Sequence, residues 1–140
     1  MQTFVPYADF DACARCLDDR RLGKQRVEAY QVLNALADPR NRWRRHPTVR
    51  MWAGYEDALR LYMNACIDEW VRRGFVNNME RAAASPDAPL PPWLGDERLH
   101  ASHRASLLRK SPSFYRRYGW TDDPCTPYFW PEGMELEVVR

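Results

Sequence analysis

The stretch Leu22-Gly23-Lys24-Gln25-Arg26-Val27-Glu28 holds the strongest candidates for chemistry in the chain, and Glu28 is the only acid between Arg20 and Leu36. On a helix, Arg21, Lys24 and Glu28 stand at i, i+3 and i+7 and share one side. Two readings of that side compete. A surface ion pair between Lys24 and Glu28 is common on helices and contributes only about 0.2–0.5 kcal/mol. A carboxylate held in a cationic patch could instead stabilise a developing positive charge, or move a proton, at a substrate bound through its phosphates. Spacing alone favours the ion pair.

Other chemistry finds less support. His100 and His103 are three apart and can meet on one helix face, but a metal site needs further ligands and none lies nearby in sequence. His103 and Arg104 are better read as part of a basic surface. Cys13 and Cys16 form a C-x-x-C without a second pair, and Cys13 stands at helical spacing from Phe10 and Leu17, which suits a small buried side chain. No Gly-rich phosphate loop, H-E-x-x-H or G-x-S-x-G occurs, which disfavours hydride transfer, P-loop hydrolysis and serine-hydrolase chemistry. No metal and no cofactor are expected.

The net charge of +2 hides a segregation. Between Arg15 and Arg50 ten Lys/Arg face four acids, and between Arg98 and Arg117 six basic residues face none; each segment is +6 and the remainder −10. Two basic segments in an otherwise acidic chain can form one face for a polyanion. Its candidate nucleic-acid contacts are Arg20, Arg44, Arg45 and His46 from the first segment. From the second come Arg104, Arg109, Lys110 and Tyr115. All but two of the 21 basic residues are arginine, the exceptions being Lys24 and Lys110; arginine suits bidentate phosphate contact.

The elements that must position these residues are helices. A chain of 140 residues suits one domain, 1–140. Asp9 or Asp11 can cap a first turn, and Asp18 or Asp19 a helix to about Ala37, with Leu22, Ala29, Leu33 and Leu36 packing and the Arg21/Lys24/Glu28 side exposed. A second helix starts at His46-Pro47-Thr48 and keeps helical period through Trp70 to a stop at Gly74. Residues 82–95, with four prolines, form an extended connector. A third helix spans Asp96 to about Lys110, and Pro112 opens a short one. No alternating strand pattern appears. The expected fold is an all-α, compact single-domain bundle of three main helices with an irregular, aromatic-rich C-terminal tail. No apolar run has the length of a membrane span, and the N-terminus lacks the pattern of a secretory signal. A cytoplasmic, nucleoid-associated monomer is the expectation.

These motifs, taken in order, resemble the pyrimidine-dimer DNA glycosylase/AP lyase family of the phage endonuclease V type. Leu17-Asp18-Asp19-Arg20-Arg21-Leu22 followed by Glu28 is similar to its L-x-D-x-H-L segment and the glutamate beyond it, with Arg21 where histidine is usual. His46-Pro47-Thr48 is similar to its S-P-T helix start, and Arg73-Gly74-Phe75 to its R-G-F helix end. Pro112-Ser113-Phe114-Tyr115-Arg116-Arg117-Tyr118-Gly119 is similar to its P-T-W-Y-x-x-Y-G segment.

The resemblance implies an all-α enzyme that binds duplex DNA, flips a nucleotide and attacks C1′ with its N-terminal α-amine, a glutamate assisting. It gives that glutamate's role to Glu28 and makes Arg21, Gln25, Arg26, His103, Arg116 and Arg117 candidate DNA contacts. α-Amines as a class, with a pKa near 8, keep a useful neutral fraction at neutral pH, whereas a lysine near 10.4 needs substantial lowering. Residue 2 is Gln2, a bulky side chain that would leave Met1 in place, so the implied nucleophile is the Met1 amine. Lys24 is the fallback, and hydrolysis by a water activated at Glu28 is a third route. The implied substrate is a damaged or modified pyrimidine in double-stranded DNA. Two rivals remain: a non-catalytic DNA-binding module using the same basic faces, and a helical protein–protein module.

Overall fold

The computed structural model describes residues 1–131. Among the described residues six helices follow one another: α1 (Phe10–Cys16), α2 (Asp19–Ala37), α3 (Pro47–Trp52), α4 (Glu56–Arg72), α5 (Glu97–Lys110) and α6 (Pro112–Tyr115), the last running into a 3₁₀ turn over Arg116–Tyr118. No strand occurs among the described residues, and no helix is long and apolar enough to cross a membrane. The fold is all-α.

Acidic caps set the helix starts. Asp9 accepts from the Asp11 amide at α1, Asp18 from the Arg21 amide at α2, and Asp96 from the Arg98 amide at α5, each satisfying an otherwise orphaned donor. Leu17 and Asp18, both extended, separate α1 from α2. The expected second helix is broken in two. Gly54 takes φ +86°, a left-handed conformation that ends α3 after Trp52, and α4 starts again at Glu56. The apolar period runs through this break because both halves face the same core. At the far end of α4, Gly74 takes φ +92° and supplies the expected stop.

α2 and α4 pack side by side, and α1 leans on α4. Gly23 permits the closest approach: a methyl group at this position would lie 2.8 Å from two ring carbons of Trp70. Trp52, Tyr62, Leu22, Leu59, Ile67, Leu99 and Tyr115 are fully buried between the helices. Cys13, Cys16 and Cys66 are buried free thiols, and burial pushes those of Cys16 and Cys66 up to about 12, so they pack as small apolar groups. The expected tail is irregular from Gly119 to Pro131, its aromatics partly buried against the core.

Candidate active site

The chain terminus is built into the core. Thr3, Phe4 and Val5 are buried, although chain ends ordinarily fray unless tied down. Gln25, inward on α2, accepts from the Phe4 amide at 2.9 Å and donates to the Gln2 carbonyl at 2.8 Å. The Tyr62 hydroxyl stands 2.7 Å from both the Phe4 carbonyl and Gln25 Oε1. Trp52 Nε1 donates to Thr3 Oγ1 at 2.9 Å, and Thr48 Oγ1 to the Met1 carbonyl at 3.3 Å. Two histidines complete the clamp. The Val5 amide donates to His103 Nδ1 at 2.8 Å, and His100 Nδ1 lies 2.7 Å from the Val5 carbonyl while its Nε2 accepts from the Gly95 amide. Segment 1–5 is thereby held through its backbone by α2, α3, α4 and α5.

This clamp delivers Met1 to a cavity of about 560 Å³ lined by Gln2, Phe4, Arg20, Arg21, Lys24, Gln25, Glu28, Lys110 and Tyr128 as well as Met1. Met1, Lys24 and Glu28 thus meet on one concavity. Four basic side chains line it against one carboxylate, and Lys110 comes from the end of α5, so both basic segments contribute. Glu28 is only 8% exposed, which corrects the expected exposed Arg21/Lys24/Glu28 side: Lys24 is exposed, Arg21 half-buried and Glu28 buried. No hydrogen bond among the described residues reaches the buried Glu28 Oε2. A buried acceptor left unmade is costly, and here it faces a cavity lined by cations. Burial, with the Met1 amine next in weight, pushes His46 below its ordinary value, placing His46 near the chain terminus.

Several expected DNA contacts make bonds within the fold. Arg26 is buried; it bonds the Gly23 carbonyl and, at 2.6 Å, Asn77 Oδ1, and its guanidinium lies over Trp70. Gln25 spends its amide on the terminal segment. His103 is fully buried, and desolvation followed by the neighbouring His100 lowers it to about 3, so it is neutral and no part of a basic surface. Arg104 is held by Asp122, Glu97 and the Pro6 carbonyl. Tyr115 is buried with its hydroxyl on Asp18. Arg109 bonds the Pro124 and Thr126 carbonyls. Arg44 donates to the Ala35 and Leu36 carbonyls at the end of α2. His46 caps α3 through the Thr48 amide. Arg20, Lys24, Arg45, Lys110, Arg116 and Arg117 keep exposed side chains. Sequence reasoning missed Gln2, Phe4 and Tyr128 as lining residues; no motif marks them, because the fold alone brings them to α2.

The fold and site together define an all-α domain in which Met1 and a buried carboxylate share a cavity lined by cationic side chains. The chain belongs to the pyrimidine dimer DNA glycosylase family, whose model matches residues 1–83, more than half of the chain. The match covers Met1, the Arg20–Glu28 face and His46; the similarity over Pro112–Gly119 lies outside it. This is a family of DNA-binding DNA-repair enzymes. No curated protein and no solved structure matches the chain.

Proposed function

We propose that the cavity excises a pyrimidine dimer, or another modified pyrimidine, from duplex DNA by amine chemistry at Met1. The Met1 amine attacks C1′ of the extruded nucleotide, and the C1′–N1 bond breaks as its electron pair leaves with the base. The amine gives up two protons in all, one taken up by the departing base and one by O4′ as the C1′–O4′ bond opens to an imine. Glu28 supports both transfers and the positive charge that gathers at C1′. Loss of a C2′ proton then allows the 3′ phosphate to leave, cutting the strand. Arg20, Arg21, Lys24 and Lys110 hold the flanking phosphates.

The observation that carries this reading is the buried, unpartnered Glu28 Oε2 on the same cavity as Met1. An ion pair with Lys24 would have satisfied that oxygen. The test is single-turnover cleavage of the C1′–N1 bond in a duplex with one defined pyrimidine dimer, read as strand scission after alkali because the detached pyrimidine stays bonded to its dimer partner. Wild type should cleave the bond, and Glu28→Gln should bind the duplex with unchanged affinity while cleaving it about 100–10,000-fold more slowly. Equal rates for the two proteins would remove Glu28 from the mechanism.

A further inference from the structure

The turn between α2 and α3, linked to Met1 through His46 and Thr48, carries an exposed indole that the chemistry above does not use. Trp43 is 42% exposed, with the Arg42 guanidinium 5.0 Å from its ring centroid and the His46 ring edge-on at 6.1 Å. The turn is rigidly built. Asn41 Oδ1 accepts from the Trp43 amide at 2.8 Å, the His46 amide donates to the Trp43 carbonyl at 2.8 Å, and Arg44 fastens the turn to the end of α2. It is also wired to the chain terminus: His46 caps Thr48, and Thr48 holds the Met1 carbonyl.

We propose that Trp43 is a stacking platform for a nucleobase exposed next to the attacked sugar. This rests on the glycosylase reading above, because a duplex must unstack before an amine can reach C1′, and unstacking leaves base faces open beside the cavity. A half-exposed indole among arginines offers such a face both π-contact and nearby positive charge. The site takes the flat face of an unpaired base irrespective of its identity; it is a binding contact and performs no chemistry.

The test uses a duplex containing a tetrahydrofuran abasic analogue, with 2-aminopurine placed in turn opposite the analogue and on its 3′ side. Wild-type binding should quench 2-aminopurine at one of these positions. Trp43→Ala should lose the quench and bind about 5–100-fold more weakly, while Trp43→Phe stays within a few-fold of wild type. Undamaged duplex should be bound almost equally by all three proteins. The proposal is overturned if Trp43→Ala keeps the quench and wild-type affinity, or if it loses affinity equally for both duplexes. Strand scission after alkali, produced by the wild type at the dimer of a dimer-containing duplex and measured in parallel, judges the glycosylase reading separately.

Discussion

Gln25 Nε2 donates a 2.8 Å hydrogen bond to the Gln2 carbonyl, so the helix that carries Glu28 also holds the chain terminus. Gln25 and Glu28 are three residues apart on α2, one set toward the terminal segment and the other toward the cavity. The relative placement of Met1 and Glu28 is therefore fixed within one helical turn.

Cutting that tie should affect chemistry more than DNA binding. Gln25→Ala leaves the Phe4 amide buried without its acceptor, at a cost of about 1–3 kcal/mol in stability. Loosening a nucleophile by about an ångström can slow reaction about a hundredfold. Urea unfolding and single-turnover glycosidic-bond cleavage measure the two effects. A stability loss with undiminished turnover would show that the clamp serves folding alone.

Salt dependence should separate the cavity cations from the structural ones. Lys24→Ala and Lys110→Ala should each lower the slope of log K against log [salt] by about 1. Arg104→Ala should leave that slope unchanged and destabilise the fold, because its guanidinium joins Pro6, Glu97 and Asp122. Fluorescence anisotropy at several salt concentrations reads the slopes. A reduced slope for Arg104→Ala would return that residue to the DNA surface.

The sequence-level errors share a cause. The helices of local pattern were legible: α2, α5 and the stop at Gly74 follow from caps and period. The break at Gly54 was not, since the apolar rhythm of Met51, Trp52, Tyr55 and Leu59 continues across it. Arg26, His103, Arg104 and Tyr115 read as a basic surface because their partners (Asn77, Val5, Asp122, Asp18) lie 51 to 98 residues away for three of the four and 18 for Arg104. The cavity candidates Met1, Lys24 and Glu28 were legible through the resemblance, whereas the burial of Glu28 needed the terminal segment to be placed across α2.

Acid should destabilise the protein through His103. Its folded value of about 3 lies below the ordinary 6.5 of an unfolded histidine, so below pH 6.5 the unfolded chain binds the extra proton. The stability present above that pH is lost as pH falls from about 6.5 toward 3, by up to about 1.4 kcal/mol per pH unit. His103→Asn, whose Oδ1 can still accept from the Val5 amide, should flatten the dependence of Tm on pH between 6.5 and 5. An unchanged profile would mean that His103 does not carry it.

Gly23 should tolerate no side chain. Alanine in a helix interior is favoured over glycine by about 1 kcal/mol, but the added methyl meets Trp70 at 2.8 Å, and overpacking costs about 1–3 kcal/mol. Trp70 has little freedom to yield, being bonded to the Val76 carbonyl and stacked on Phe75. Gly23→Ala should therefore lower Tm, and in a Trp70→Leu background the same change should be neutral or stabilising. A raised Tm in the wild-type background would contradict the close packing of α2 on α4.

The central claim, that the chain terminus is the nucleophile, is tested most directly by borohydride trapping on a dimer-containing duplex, with the adduct located by peptide mass spectrometry. The expected result is a reduced cross-link on the Met1 amine that persists in Lys24→Ala and disappears when the terminus is blocked by reductive methylation. Glycosidic-bond cleavage without any cross-link, or a cross-link on Lys24, would contradict the account.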